Sequence, residues 1–397
     1  MKKTVLLLGI ILSYSTAHAG IDMQAHVASD EGLQAYTAYQ AKQTDYYEDE
    51  CSPANLMATT GDDLFGLLNT LMGETSKIGS SSYSYNSLRN YYVKVDKDLN
   101  NASNIIGYYD GSSMNGTWDS GHTWNREHTW PQSKGADKGL PMGHDMQSVR
   151  PASTAINGDR GNQAYGEKQY DPDEVDIDNK DYNKINLGSY RGDAARVILY
   201  DYIVYAQAGG HKNSLYNSEC TLSKLKSSSG VFESLTTLLK WHMQDPPSLT
   251  EMVRNDGAQN YQGNRNPFID YPELAIQVLK NDNSLTVRKV SYVGSTNVSP
   301  RYNYTTPAGF ICYLGTPEHH PEQSDISVSG ASFTYNATLG RLTITNVTKD
   351  MTISIDGTTG FEATTTLPKV QKAMINGRIV IVKDNAQFDV LGRKLAN

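Results

Sequence analysis

Residues 122–162 read HTWNREHTWPQSKGADKGLPMGHDMQSVRPASTAINGDRGN. This stretch holds His122, His128 and His144 among acids, amides and arginines, and three chemistries fit it. The first is zinc, with His122, His128, His144 and Asp145 as ligands. No pair there has the i, i+4 spacing of a helical zinc site, and HExxH is absent. The second is a packed, tryptophan-rich β layer (Trp118, Trp124, Trp130) whose histidines only fill space. The third is phosphodiester hydrolysis. That reaction needs a base for water, a cation against charge on the phosphorane, and relief for the leaving oxygen. His128 can be a neutral base near pH 7. Glu127 offers one hard oxygen ligand for a cation such as Mg²⁺, and an asparagine side chain a second.

These residues need a frame. Residues 122–130 read as a strand closed by Pro131, 134–143 as a glycine-rich loop, and 145–150 as a second strand. Pro151 then opens a helix at or before Ala152. On that helix Asn157 and Arg160 stand three apart and share a face. Neighbouring residues on a regular strand point to opposite faces. Glu127 and His128 therefore serve one site only if the strand ends or bulges between them.

Helices are predicted over 28–41, 60–75, 191–208, 229–245 and 271–279, from apolar spacing and from stops such as Gly209-Gly210 and Pro246-Pro247. After about Asn283 the texture changes to short alternating runs. Residues 330–356 alternate well, with turn signals at 336–340 and at Lys349-Asp350. This all-β module is patterned like a small immunoglobulin-like sandwich, acting as a spacer or as a glycan- or envelope-binding unit. Residues 370–395 read as three strands broken at Asn376-Gly377 and Asp384-Asn385.

The chain has 397 residues, 38% of them apolar, and a net charge of −8. Global charge gives no support for nucleic-acid binding, so any anion site is a local patch. Arg126, Arg150, Arg160, Arg191, Arg196, Lys212 and Arg265 are candidates for it. Residues 5–12 are too few to span a membrane that needs about 20. With Lys2, Lys3 and the Ala17-His18-Ala19 site they form an export leader, so the mature chain starts at Gly20. Cys51, Cys220 and Cys312 then meet an oxidising compartment. Cys51–Cys220 is the pairing expected, because Cys312 falls in the later region; three free thiols are the alternative.

The run Asn125-Arg126-Glu127-His128-Thr129-Trp130-Pro131-Gln132-Ser133 resembles the signature of the bacterial endonuclease I family. The resemblance continues in Asp145-Met146, in Val149-Arg150-Pro151, in residues 156–162 and in residues 262–270. It covers about residues 30–282. It implies an α+β fold, with a mixed helical nuclease core carrying a ββα-metal (His-Me finger) motif ahead of the β module. It also implies an exported, metal-dependent, sequence-nonspecific endonuclease that cuts DNA, and often RNA, to 5′-phosphates. Carried over, His128 is the general base, and Glu127 and Asn157 hold Mg²⁺, for which Mn²⁺ or Ca²⁺ can substitute. Arg126, Arg150, Arg160 and Asn162 are the candidates for substrate phosphate. Gln147-Ser148 departs from the family pattern. The loop also lacks the arginine some relatives carry, leaving Arg150, Arg160 or Lys134 to replace it. The tail resembles C-terminal sorting segments and would address the secretion machinery. The resulting organisation is a leader (1–19), a nuclease domain (20–283), a β-sandwich-like module (284–365) and a sorting-like segment (366–397). A monomer is expected, extracellular, on the cell surface or in the periplasm. The competing reading is a cell-surface binding protein with an inactive nuclease core.

Overall fold

Leu64, Leu68 and Met72 recur on one face of a helix that starts at Gly61, and all three are fully buried. In the computed structural model this helix is α2 (Gly61–Thr75), which follows a short α1 (Pro53–Ala58). The structure describes residues 46–78, 83–98, 101, 103–166, 188–294, 297–315 and 319–356, and the strands Gln371–Ile375, Arg378–Lys383 and Ala386–Phe388. The leader at 1–19 and the helix expected over 28–41 lie outside these residues.

Helix α3 (Tyr85–Val95) begins at a reciprocal Ser84–Ser87 capping box and buries Leu88, Tyr92 and Val95. A short hairpin, β1 (Asn104–Ile106) and β2 (Ser113–Asn115), follows. Strands β3 (Trp124–His128) and β4 (Val149–Ser153) then pair antiparallel, and α4 (Thr154–Arg160) leaves directly from β4. Helix α5 (Gly188–Tyr205) is buried along Ala194–Tyr205, Arg196 and Asp201 included. Around it lie α6 (Leu222–Leu225), α7 (Leu235–Gln244), α8 (Leu249–Gln262), α9 (Pro267–Asp270) and α10 (Leu274–Leu279).

Several boundaries differ from the sequence expectation. The second strand is not 145–150 but Val149–Ser153. The Asp145 carboxylate accepts from the Gln147 amide at 2.7 Å and its carbonyl accepts from Val149 at 2.8 Å, which bends 145–148 into a turn. Pro151 therefore sits inside β4, opposite Arg126, where a two-stranded ribbon leaves one edge without a ladder. The helix expected from Ser229 starts only at Leu235, because the Ser234 hydroxyl caps it by accepting from the Thr237 amide. Tyr165 bridges Phe232 in the segment before it.

The later half forms two four-stranded sheets. One has the order β10 (Ser332–Asn336), β11 (Arg341–Thr345), β8 (Ile311–Leu314), β6 (Val298–Ser299). The other has the order β7 (Tyr304–Thr305), β5 (Arg288–Gly294), β12 (Met351–Ile355), β9 (Ile326–Ser329). The alternation read from the sequence is the burial pattern: Leu342 and Ile344 on β11, and Met351, Ile353 and Ile355 on β12, point inward. This half packs directly on the helices. Gln244 donates to the Ala308 carbonyl at 2.7 Å, Glu273 accepts from the Arg301 amide at 2.8 Å, and one buried apolar cluster runs through both halves. Strands β13 (Gln371–Ile375), β14 (Arg378–Lys383) and β15 (Ala386–Phe388) form an antiparallel three-stranded sheet in the order predicted. Among the described residues no helix is long and apolar enough to cross a membrane.

The Cys51–Cys220 pairing expected from the sequence is not formed, and all three cysteines are free. The half-buried Cys51 thiol points at the Leu67 carbonyl, whereas Cys220 is buried against the Asp201 carbonyl. Each thiol is thus committed to a different backbone neighbour. The mature protein is expected to have the same non-reducing and reducing mass, with three thiols titratable after unfolding; loss of two of them would restore the disulfide. A second expectation concerns pH. Burial pushes the His242 imidazole down to about 3, from an ordinary value of 6.5. Its neutral form is therefore fully compatible with the fold above pH 6.5. Its stability contribution is lost as pH falls from 6.5 toward 3, because the unfolded chain takes up a proton that the folded one refuses. Urea unfolding at pH 7.5 and 4.5 should show a shallower pH dependence for His242→Gln than for wild type.

Candidate active site

The β3–β4 ladder pairs Asn125 with Ala152, Glu127 with Arg150, and His128 with Val149. Strand β3 ends at His128, and Pro131 follows three residues later. That ending resolves the problem of adjacent residues serving one site, since Glu127 and His128 line the same cleft. The cleft is about 430 Å³. Helix α4 forms its other wall with Asn157 and Arg160, and Asn162 lies just beyond the helix end. Of the seven site residues read from the sequence, six are gathered here: Arg126, Glu127, His128, Asn157, Arg160 and Asn162.

Glu127 is only 2% exposed, so its carboxylate needs internal partners. Oε1 accepts from the Tyr109 hydroxyl at 2.5 Å and meets Nη1 of Arg160 at 3.2 Å. Tyr109 in turn shares a 2.5 Å hydrogen bond with the Tyr165 hydroxyl. Arg160 is buried, donates to the His128 and Thr129 carbonyls at 3.2 and 2.9 Å, and lies 4.5 Å over the Tyr165 ring. Burial raises the Glu127 pKa, and Arg160 and Tyr109 pull it back. Arg160 thus fixes the carboxylate and the end of β3 together.

His128 is 4% exposed, and among the described residues neither ring nitrogen makes a hydrogen bond of good geometry. Burial pushes its pKa down to about 4, with the Ala136 backbone offsetting part of that shift. The imidazole is therefore neutral and able to accept a proton at neutral pH. Its ring lies 5.3 Å from that of Tyr85. Asn157 donates Nδ2 to Oδ1 of Asn125 at 2.5 Å, which leaves its own Oδ1 as the unengaged end of the amide in that bond. Arg126 donates to the Tyr85 carbonyl at 2.6 Å and lies 3.6 Å over the Tyr85 ring. The exposed Asn162 donates to the Ser133 hydroxyl at 3.2 Å.

The other candidates are placed elsewhere. Arg150 is outside the cleft lining, 3.4 Å from Asp96 and stacked over Tyr108. Arg196 and Arg265 are buried against Glu251 and Asp270 at 2.6 and 2.9 Å. Lys134 donates to the Gly230 carbonyl. Gln147 and Ser148, where the chain departs from the family pattern, are buried partners of Asn255 and Asp201. Asp145, a zinc candidate, accepts from Tyr200, Tyr205 and Gln262 at 2.6 to 2.7 Å. Among the described residues no three His, Cys, Asp or Glu side chains gather as a ligand set. The zinc reading loses its geometry with that dispersal. Sequence reasoning missed Tyr85, Tyr109, Trp118 and Tyr165. Asn125 lay inside the quoted motif without a role. No local pattern marks Tyr109, because its partner Glu127 lies 18 positions away.

Residues 60–273 match the family model described as Endonuclease I. The chain is 28% identical over 238 residues to a protein named extracellular ribonuclease from Bacillus subtilis (strain 168), covering 55% of this chain and 75% of that one. It is 31% identical over 223 residues to an extracellular ribonuclease of Bacillus amyloliquefaciens, covering 50% of this chain and 70% of that one. The match spans the cleft, its supporting helices and the Asp145 turn, and this chain belongs to the endonuclease I family of nucleases.

Proposed function

We propose that this chain is an exported, Mg²⁺-dependent, sequence-nonspecific endonuclease that hydrolyses DNA, and also RNA, to 5′-phosphate products. The observation that carries the reading is one cleft holding a buried His128 beside a carboxylate and an amide oxygen donor. A strand–strand–helix frame presents them, consistent with a ββα-metal site. Export is supported by the leader read from the sequence and by relatives described as extracellular.

The donor set fits a hard cation. Glu127 and Asn157 offer oxygens on facing walls of the cleft, and Mg²⁺ takes one or two protein oxygens and keeps water for the rest. Mg²⁺ bound there would supply positive charge against the negative charge developing on the phosphorane oxygens and on the leaving 3′ oxygen. Each protein group has a separate task. His128 accepts the proton of the attacking water. Asn125 holds the Asn157 amide so that Oδ1 is its free end. Tyr109 and Arg160 hold Glu127 through Oε1. Asn162 stands at the cleft for the phosphate chain. Contacts to phosphate carry no sequence information, hence nonspecific cutting.

The test is plasmid cleavage by the mature protein with Mg²⁺ and with EDTA. Nicking and degradation are expected only with Mg²⁺, and His128→Ala should lose roughly 10²- to 10⁴-fold in rate while keeping the fold. Full activity in that variant would remove His128 as the base. Tyr109→Phe deletes a hydrogen bond to the ligand oxygen without changing ring volume. Calorimetric titration should show Mg²⁺ affinity lowered by about tenfold or more; unchanged affinity would remove Tyr109 as a support of that ligand.

A further inference from the structure

Rings and cations alternate from Arg89, outside the cleft lining, into the cleft. The Arg89 guanidinium lies 5.7 Å from the Trp118 ring centroid, and Arg126 lies 5.0 Å from the same ring. Arg126 also lies 3.6 Å from the Tyr85 centroid, and Tyr85 is 5.3 Å and 30° from the His128 ring. The order is thus cation, ring, cation, ring, catalytic base. Tyr85, Trp118 and Arg126 all line the cleft and all are partly exposed.

Arg126 is held in this ladder by its own contacts. Nη1 donates to the Tyr85 carbonyl at 2.6 Å and to Oδ1 of Asn86 at 3.3 Å. A guanidinium kept against a ring, with part of its donor fork used internally, is poorly arranged as a simple phosphate clamp. It is well arranged to stack. Aromatic rings and guanidinium planes are the surfaces on which unpaired bases lie. In a duplex each base face is covered by the next base pair, so a protein meets only edges, sugars and phosphates. A ladder of this kind beside the catalytic base has a ligand only when the bases are splayed.

We propose that Arg89, Trp118, Arg126 and Tyr85 form a nucleobase-stacking platform, and that this active site takes single-stranded nucleic acid in preference to duplex. The inference rests on the placement of the active site in this cleft. It deepens that reading by naming the substrate form. The ligand chemistry is an unpaired base on a phosphodiester chain, which RNA and DNA share.

The test is binding of fluorescein-labelled 20-mers by the full mature chain, read by anisotropy at one fixed salt concentration with EDTA throughout. The probes are single-stranded RNA, single-stranded DNA and the duplex of the same sequence. Single strands of either sugar are expected to bind about tenfold or more tightly than duplex. Trp118→Leu keeps apolar bulk against Trp124, whose ring centroid is 4.9 Å away, but removes the flat face. It should abolish most of that ratio, and Trp118→Phe should restore it. Equal affinity for single strand and duplex overturns the platform. So does an unchanged ratio in a Trp118→Leu protein that melts like wild type, and so does a gain confined to RNA. Because EDTA is present, a fault in the base or metal assignment leaves this readout intact. Absence of Mg²⁺-dependent cleavage would count against the active-site reading instead.

Discussion

Much of the catalytic half follows from the burial of the Glu127 carboxylate. A charge 2% exposed is strongly disfavoured unless neighbours compensate it. Arg160 supplies the opposite charge and Tyr109 the hydrogen bond, both on Oε1. Those partners need support of their own. Arg160 ties its fork to the carbonyls that follow Glu127 and stacks on Tyr165, and Tyr165 closes the circuit by bonding Tyr109. One carboxylate therefore dictates where β3 ends, where α4 ends and where the segment after α4 must run. The same compensation explains why the buried Arg160 serves the carboxylate in this structure rather than standing exposed at the rim.

Asp145 does comparable work at the other side of the β3–β4 connection. Its carboxylate gathers two tyrosine hydroxyls from α5, the Gln262 amide from the end of α8 and the Gln147 backbone. No cation touches it in these contacts, and burial raises its pKa. The turn at 145–148 is pinned to the central helix by these bonds. Val149 thereby enters the ladder opposite His128 in register. A one-residue slip would exchange the faces of β4 and carry α4, with Asn157, off the cleft.

How much of this was legible in the sequence varied with range. Asn157 and Arg160 on one face of a helix were readable because their spacing is local. So were α2, from its leucine period, and the alternating strands β11 and β12. The start of β4 was not. Nothing within residues 145–150 shows that the Asp145 side chain will bond its own backbone instead of a metal, since its other partners lie more than 50 residues away. Arg150 was read as a phosphate ligand because arginine next to a motif is ambiguous until its carboxylate is known, and Asp96 is 54 residues off. The aromatic side of the cleft was hidden for the same reason. Tyr85, Tyr109 and Trp118 come from three separate segments, and only the fold brings them to one place.

The contact between the two halves bears on what the β-rich half does. A spacer would meet the helices through a flexible link and leave α10 with a wet face. Instead Leu274, Ala275, Ile276 and Leu279 are buried, Lys280 lies 4.6 Å over the Tyr304 ring, and the Arg301 amide reaches the buried Glu273 carboxylate. Burial raises the Glu273 pKa, and the Arg301 amide works against that rise, so the β-rich half helps to accommodate an acid at the end of the helical one. Helix α10 packs against α2, and α2 against α5, which carries the tyrosines that hold Asp145. A chain of packed elements thus links the β sheets to the turn that sets β4. On this architecture the β-rich half is packed into the same framework that sets β4.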